Sequence, residues 1–524
     1  MKKESVNIYP QADRWSFLWL VIGCVLMAFM AGNWPLSLAG WLAPLFLIRF
    51  MCTQKKLWGF ILISIGVAAA CMVAYQGNAG PSGIPLPAFG AVLGISFGLI
   101  FLVDRVLVAR LPAQGLASFA ATLVFPLLVT AQEFLLLNKI SFGSSGSSAY
   151  SQSSNLVLMQ IISITGLWGL TFITSWFAST VNWAWERGFS WPEIRGGTVI
   201  YASFLLLVLA FGSIRLRFFE PPAGTVRIHA LIAEGQNFDS MNDTVYPLLK
   251  KDREAYRRLT TSYYDATLEA ITREAQAGAQ IVVLPETAVV GVKEDLDALI
   301  NRIKQVAKTE NVYVAIGMWL ADTNLQEPRL ILIDPAGEIV LNHLKYAYGM
   351  GTPINQVDLQ TVDTPYGRLS GVLCGDLDNP GVVNQAGRKG VDILLVPATE
   401  NPGTGPWHFR LAAFRAVENG FSVVRSVVEG VSIATDPYGR LLASMDYFKA
   451  DDRVMVAQVP THRVQTVFAA IGDLFGWLAV IGFVGIADVD VVWMQGQNSF
   501  FFKDHAERKT KALADAAALG RKIK

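Results

Sequence analysis

Between residues 15 and 218 the chain is a succession of apolar runs with little charge between them. About 20 consecutive apolar residues span a bilayer as a helix, and a lipid-exposed backbone must satisfy its own N–H and C=O groups. Runs near 15–32, 35–51, 58–75, 86–109, 115–137, 156–184 and 197–217, with an eighth near 466–492, predict a polytopic α-helical membrane domain of about eight spans. Charged residues make up only 16% of the 524, against roughly 25% in soluble proteins. The deficit is uneven, because residues 225–463 have ordinary soluble composition. The opening "MKKESVNIYPQADR" leads into a run longer than a signal-peptide core, and many more runs follow, so a cleaved leader is not expected.

The basic residues fall in alternate connections. Lys2, Lys3 and Arg14 precede the first run, Lys55 and Lys56 separate the second from the third, Arg110 follows the fourth, and Arg187 and Arg195 separate the sixth from the seventh. "GNWP" and "QGNAGPSGIP", in the intervening connections, carry none. The positive-inside rule then puts both termini in the cytoplasm and the block before the last run outside it. The expected organisation is 1–220 as a seven-span membrane domain, 221–464 as an extracytoplasmic domain, 465–497 as a last span and 498–524 as a basic cytoplasmic tail. The Ser/Gly-rich loop 138–155 falls on the outer side and is expected to border a site there. Trp176, Trp183, Trp185 and Trp191 read as an interfacial belt. A net charge of +1 gives no electrostatic case for a nucleic-acid partner.

The outer block alternates strand and helix patterns. "VRIHALIA", "AQIVVLPE", "VYVAIGMWL", "RLILIDPAGEIV", "GRLSGVLCGD" and "GVDILLVPA" read as strands, and 245–277, "LDALINRIKQVAKTEN" and "HFRLAAFRAVENG" as helices, which predicts a layered α/β domain. Three reactive residues stand at or beyond strand ends, where sites of α/β sheets gather. Glu286 ends "IVVLPE", Lys345 follows the "DPAGEIV" hairpin and Cys374 ends "LSGVLC". Cys374 is the single cysteine of the outer block, so no disulfide can form within it. A lone cysteine is often a small buried hydrophobe. Gly375 is expected to turn the chain and present the thiol, Glu286 to take its proton, and Lys345 to steady a thiolate or an oxyanion.

"LPETAVVG", a lysine after "DPAGEIV" and "LCGD" together resemble the carbon–nitrogen hydrolase (nitrilase) superfamily. "GNWPLSLAGWLAPLFL", "SSAYSQSSNLVLMQIISITGLWGLTFITSW", "DTPYGRLSGVLCGD", "FRAVENGFSVVRSVVEGVSIATDPYGR" and "FAAIGDLFG" narrow the resemblance to the apolipoprotein N-acyltransferase family. It implies an αββα nitrilase-like sandwich joined to eight spans in the bacterial inner membrane, with a periplasmic catalytic domain. It implies that Glu286, Lys345 and Cys374 form a triad carrying an acyl chain as a thioester, in ping-pong order, from a phospholipid to the amine of a diacylglyceryl-cysteine lipoprotein. Neither metal nor organic cofactor is implied, and the scattered histidines offer no metal-ligand spacing. A monomer is the expectation. An amidase-like hydrolysis and a catalytically silent lipid-binding homologue are the alternatives.

The family follows its lysine with a lid segment containing a glutamate, whereas "KYAYGMGTP" has no acid. It has Tyr-Glu after the cysteine, and here Gly375-Asp376 stands there. Asp376 is the expected substitute for that glutamate, with Tyr348 and Glu400 as further supporting candidates. Glu133, at the outer end of the fifth run, is a candidate for lining the lipid access path. Asp104 and Arg105 are expected to pair with each other or to reach the interface. Arg415 and Glu418 are expected to pair at i, i+3 on one helix face.

Overall fold

The computed structural model describes residues 13–77, 85–111, 115–137, 143–218, 224–233, 236, 244–320, 327–346, 358–401 and 408–486. Tyr348 and the basic tail 498–524 lie outside the described residues. Each of the eight apolar runs carries helix. Lys56–Ala74, Leu86–Val108, Ser118–Leu137 and Trp191–Phe218 are long and apolar enough to cross a membrane. Ser16–Met27, with 12 residues, and Ser37–Thr53, with 17, are shorter than a straight crossing needs. Leu474–Ile486 is shorter too.

The sixth run is not the single straight helix its apolarity predicts. Leu156–Thr165 and Leu167–Glu186 meet at a bend of 120°. Hydropathy carries no direction, so a turn built entirely of apolar and small residues leaves no trace in it. Gly166 makes the turn with φ +64°, a conformation costly for any residue with a Cβ. The Glu418 carboxylate accepts the Leu167 N–H at 2.8 Å, satisfying one of the open donors at the start of the second helix. Two of the four tryptophans expected in an interfacial belt are instead internal. Trp176 and Trp183 are buried, donating to Thr122 Oγ1 at 3.0 Å and Ser118 Oγ at 3.2 Å.

The outer block forms two large sheets and a two-stranded one. Its strands are β1 (Thr225–Leu231), β2 (Ile281–Val283), β3 (Val289–Gly291), β4 (Tyr313–Leu320), β5 (Glu327–Ile333), β6 (Ile339–Leu344), β7 (Val362–Thr364) and β8 (Gly367–Gly371). They continue with β9 (Ile393–Leu395), β10 (Ala398–Thr399), β11 (Ser422–Arg425), β12 (Val427–Val428), β13 (Val431–Thr435), β14 (Leu441–Asp446) and β15 (Val454–Pro460). One sheet runs β15-β1-β2-β4-β5-β6, with β3 also on β4. The other runs β14-β13-β11-β9-β8-β7, and β10 pairs with β12.

Alternation along the strands puts Ile228, Ile281, Leu330 and Leu332 of one sheet against Leu369, Ile393, Leu395 and Val424 of the other in a dry inner core. The opposite face of the first sheet is covered by helices Arg253–Gln276 and Lys293–Glu310, through Leu268, Ile271, Leu299 and Ile303. That of the second is covered by Pro380–Arg388 and Arg410–Asn419, through Val383, Ala386, Ala412 and Ala416. The result is an αββα sandwich beside the helical domain.

A Cβ on Gly166 would lie 2.5 Å from Phe468 Cε2. The Gly166→Ala variant in detergent should therefore lose stability by about 1–2 kcal/mol for the backbone alone, read as a fall of several degrees in Tm. Adding Phe468→Ala should relieve the clash and leave the backbone cost.

Candidate active site

The parallel strands β2 and β8 end on the same side of the sandwich as β6. From β2 the chain continues as Leu284-Pro285-Glu286, from β6 as Lys345, and from β8 to Cys374. All three side chains are nearly closed from solvent: Glu286 is 2% exposed, Lys345 5% and Cys374 7%. Lys345 Nζ donates to Glu286 Oε1 at 2.5 Å. Thr399, at the end of β10, joins this pair to the thiol. Its N–H donates to Glu286 Oε2 at 3.2 Å, and its carbonyl accepts from Cys374 Sγ at 3.5 Å. Thr399 thus links the acid to the sulfur, and the acid holds the ammonium.

Burial pushes the Cys374 thiol well above its ordinary pKa; Glu286 adds to that push, and Lys345 opposes it. The sulfur is therefore protonated at neutral pH and needs a base before it can attack. Burial alone would lower Lys345, but the Glu286 carboxylate outweighs it and holds the ammonium above its usual value. The sharp turn expected of Gly375 is made by Cys374 itself, with φ +38°. A non-glycine residue pays roughly 1–2 kcal/mol for that backbone, and strain of this kind persists where neighbours over-determine the conformation. Here the Cys374 N–H is fixed on Pro397 O at 2.9 Å.

Asp376 is fully buried and holds the cysteine turn to the lysine strand. Its Oδ1 accepts the Tyr346 N–H at 2.9 Å; its Oδ2 accepts the Leu373 N–H at 3.2 Å and lies 2.8 Å from His343 Nε2. His343 was not singled out from sequence. The signal was period two: it precedes Lys345 by two residues along one strand, on the same face. Gly375 lies buried in the turn that follows the thiol.

Glu400 belongs to a second buried array. His408 sits between Glu400 Oε1, at 3.0 Å from Nδ1, and Asp378 Oδ1, at 2.7 Å from Nε2, while Arg425 donates to Glu400 Oε1 at 2.7 Å. Burial would lower His408, but Asp378 and Glu400 raise it to about 9. Burial works against ionised Glu400, and Arg425 with His408 more than offsets this, keeping its carboxyl below the usual range. Among the described residues no group of three His, Cys, Asp or Glu is arranged to hold a metal ion.

Glu133 does not line an open path. It is 3% exposed and accepts from Ser147 Oγ at 2.9 Å, the Ser148 N–H at 3.1 Å and Thr171 Oγ1 at 2.9 Å, which pins the Ser/Gly loop to the membrane helices. The loop in turn touches the cysteine turn: Ser144 Oγ donates to Asp378 O at 3.0 Å. Gly143, with φ +58°, lies so close that a Cβ there would sit 2.3 Å from Asp378 O. Arg415 completes the junction, donating to Leu377 O at 3.0 Å, to Ser144 Oγ and to Glu418 Oε2 at 2.5 Å, in the expected i, i+3 pair.

A family model described as Carbon-nitrogen hydrolase matches residues 256–468. An apolipoprotein N-acyltransferase of Geobacter metallireducens is 24% identical over 93% of this chain and 97% of its own length. One from Bradyrhizobium diazoefficiens is 25% identical over 74% of this chain and 75% of its own. Among solved structures, an amidase from Nesterenkonia sp. is 18% identical, covers 46% of this chain and 93% of its own, and superposes with a TM-score of 0.37.

Two outcomes follow from the charges. Because Glu286 raises the Cys374 thiol and Lys345 lowers it, the pH dependence of Cys374 alkylation by iodoacetamide should move to lower pH in Glu286→Gln and to higher pH in Lys345→Met. His408 is raised in the folded state from 6.5 to about 9. Its stabilising contribution is fully present below pH 6.5 and is lost as pH rises through about 9. Wild-type Tm should fall over that window, and the fall should be shallower in His408→Gln.

Proposed function

This chain is an apolipoprotein N-acyltransferase-like member of the carbon–nitrogen hydrolase superfamily, and we propose that it moves a fatty acyl chain from a phospholipid, through a thioester on Cys374, to the N-terminal amine of a diacylglyceryl-cysteine lipoprotein. The observation that carries this reading is a closed site in which Glu286 is held by Lys345 and by the Thr399 N–H, while the Thr399 carbonyl accepts from the Cys374 thiol.

Glu286 takes the thiol proton as Cys374 Sγ attacks the ester carbonyl carbon of the donor. Lys345 stabilises the tetrahedral oxyanion, a role worth about 10²–10³ in rate for a single well-placed donor. Collapse breaks the acyl C–O bond, and Glu286 returns its proton to the departing lysophospholipid alcohol. The lipoprotein amine then attacks the thioester and loses a proton to Glu286. The C–S bond breaks, and the leaving sulfur takes that proton back. One thiol serves two bulky substrates in turn, so the order is ping-pong. Asp376 and Gly375 position the cysteine turn. Neither metal nor organic cofactor enters any step.

In this reading the protein works as a monomer in the bacterial inner membrane. The unit 221–464 stands outside the cytoplasm and residues 498–524 inside it; the alternation of basic and neutral connections supports that orientation. Hydrolysis is the second reading, favoured by the carbon–nitrogen hydrolase match over 256–468. Water would then resolve the acyl-enzyme.

Mass spectrometry of a diacylated lipopeptide incubated with phospholipid and the full chain separates the two. Transfer adds one acyl chain to the peptide amine, whereas hydrolysis releases fatty acid and leaves the peptide unchanged. A wild-type protein that never acquires an acyl mass on Cys374 would overturn both readings. Cys374→Ala should abolish turnover, and Glu286→Gln should lower it about 10²–10⁴-fold.

A further inference from the structure

His408 is a buried charge that takes no part in the acyl-transfer steps. It stands just ahead of the helix Arg410–Asn419 and is 3% exposed. Its Nε2 lies 2.7 Å from Asp378 Oδ1, and its Nδ1 lies 3.0 Å from Glu400 Oε1. Both ring nitrogens thus face carboxylate oxygens, which only accept, so both carry protons and the ring is an imidazolium. The rise of its pKa to about 9, against the pull of burial, agrees with that state. Arg425, at the end of β11, closes the row by donating to Glu400 Oε1 at 2.7 Å. Asp378, His408, Glu400 and Arg425 form a line of alternating charges, at 1%, 3%, 4% and 0% exposure.

The two carboxylates of this line belong to the two segments that flank the sulfur. Asp378 closes the helical turn that begins at Cys374. Glu400 follows Thr399, whose N–H holds Glu286 and whose carbonyl accepts from the thiol. The Glu400 N–H is itself fixed on Val428 O at 2.9 Å. The cysteine turn opens on a left-handed backbone, φ +38°, and such a conformation persists where its surroundings over-determine it. At the start of the turn the Cys374 N–H is tied to Pro397 O at 2.9 Å. At its end the Asp378 side chain is tied to His408, and Arg415 of the following helix reaches Leu377 O at 3.0 Å and Asp378 O at 3.2 Å. Without the imidazolium, Asp378 and Glu400 are two buried carboxylates on either side of a gap, and like charges in a closed space push apart. One rides on the cysteine turn and the other adjoins Thr399, so that push draws the sulfur off the Thr399 carbonyl.

We propose that His408 is a positioning residue, whose bridge from Asp378 to Glu400 holds the Cys374 sulfur on the Thr399 carbonyl. This role rests on Cys374 being the nucleophile proposed above, whichever acyl donor and acceptor it serves. A misplacement of about 1 Å costs a reacting group on the order of 10²-fold in rate.

The test is the pre-steady-state burst of p-nitrophenol from p-nitrophenyl butyrate, measured on the full chain in detergent. Attack forms the S–C bond, breaks the acyl C–O bond and sends the thiol proton, through Glu286, to the departing p-nitrophenolate. His408→Gln should lower the burst rate constant about 10–100-fold and leave its amplitude, which counts competent thiols, unchanged. Asp378→Asn weakens the same bridge while keeping a neutral hydrogen bond. It should slow the burst less, and it keeps the idea testable if His408→Gln does not fold. The double variant should be no slower than His408→Gln, because both changes act on one bridge. A merely structural role would lower the amplitude and Tm and spare the rate constant. That outcome, or losses that add in the double variant, would overturn the proposal. A wild-type burst that is absent, or that survives Cys374→Ala, would overturn it together with the thiol chemistry. A Cys374-dependent burst from a chain that takes no acyl group from phospholipid would sink the lipid donor alone, and the His408→Gln rate constant would still decide this role.

Discussion

Glu286 and Lys345 are charges that neither could keep alone at 2% and 5% exposure, because a single buried ion is far costlier than a hydrogen-bonded pair. Their strands, β2 and β6, are separated in the sheet by β4 and β5, roughly 14 Å at the usual spacing. The two side chains therefore meet only because the segments after both strands turn inward over the sheet end. Asp376 holds one of those segments through the Tyr346 N–H, and Thr399 holds the other through Glu286. Remove the ion pair, and those contacts enclose an uncompensated charge. The thiol depends on the same pair. It is raised by burial and by Glu286, so it rests as a thiol.

The same turn ties the chemistry to the membrane domain. Asp378, four residues after the thiol, presents its carbonyl to Ser144 and Arg415. Arg415 pairs with Glu418, which caps the helix beginning at Leu167. Glu133 anchors the Ser/Gly loop from the membrane side. Sulfur, loop and bent helix thus form one continuous polar junction in which every contact is buried. The site is consequently fixed against the end of the helical domain.

Much of this was readable in the chain because its signals are local. An apolar strand that stops at an acid, a lysine or a cysteine marks a strand end, and so Glu286, Lys345 and Cys374 stood out singly. The sandwich followed from strand and helix periods together with the family resemblance. What escaped depends on contacts between distant residues. His343 meets Asp376 across 33 positions and Glu133 meets Thr171 across 38, and no composition records that. The left-handed backbone at Cys374 escaped because sequence argument assigns such turns to glycine, and Gly375 stood beside it. The bend at Gly166 lies within unbroken apolarity, so a hydropathy profile reads straight through it.

The departures from the family pattern take on a physical meaning once the buried charges are set side by side. Asp376, the expected substitute for an absent glutamate, is occupied by His343 and two backbone N–H groups, so its work is to position the turn. Around the thiol, the carboxylates Glu286, Asp376, Asp378 and Glu400 are met by Lys345, His343, His408 and Arg425. One Glu400 oxygen and one Asp378 oxygen are buried without partners among the described residues. A buried carboxylate oxygen without a donor is costly, so these two oxygens are the places in the array still open to one.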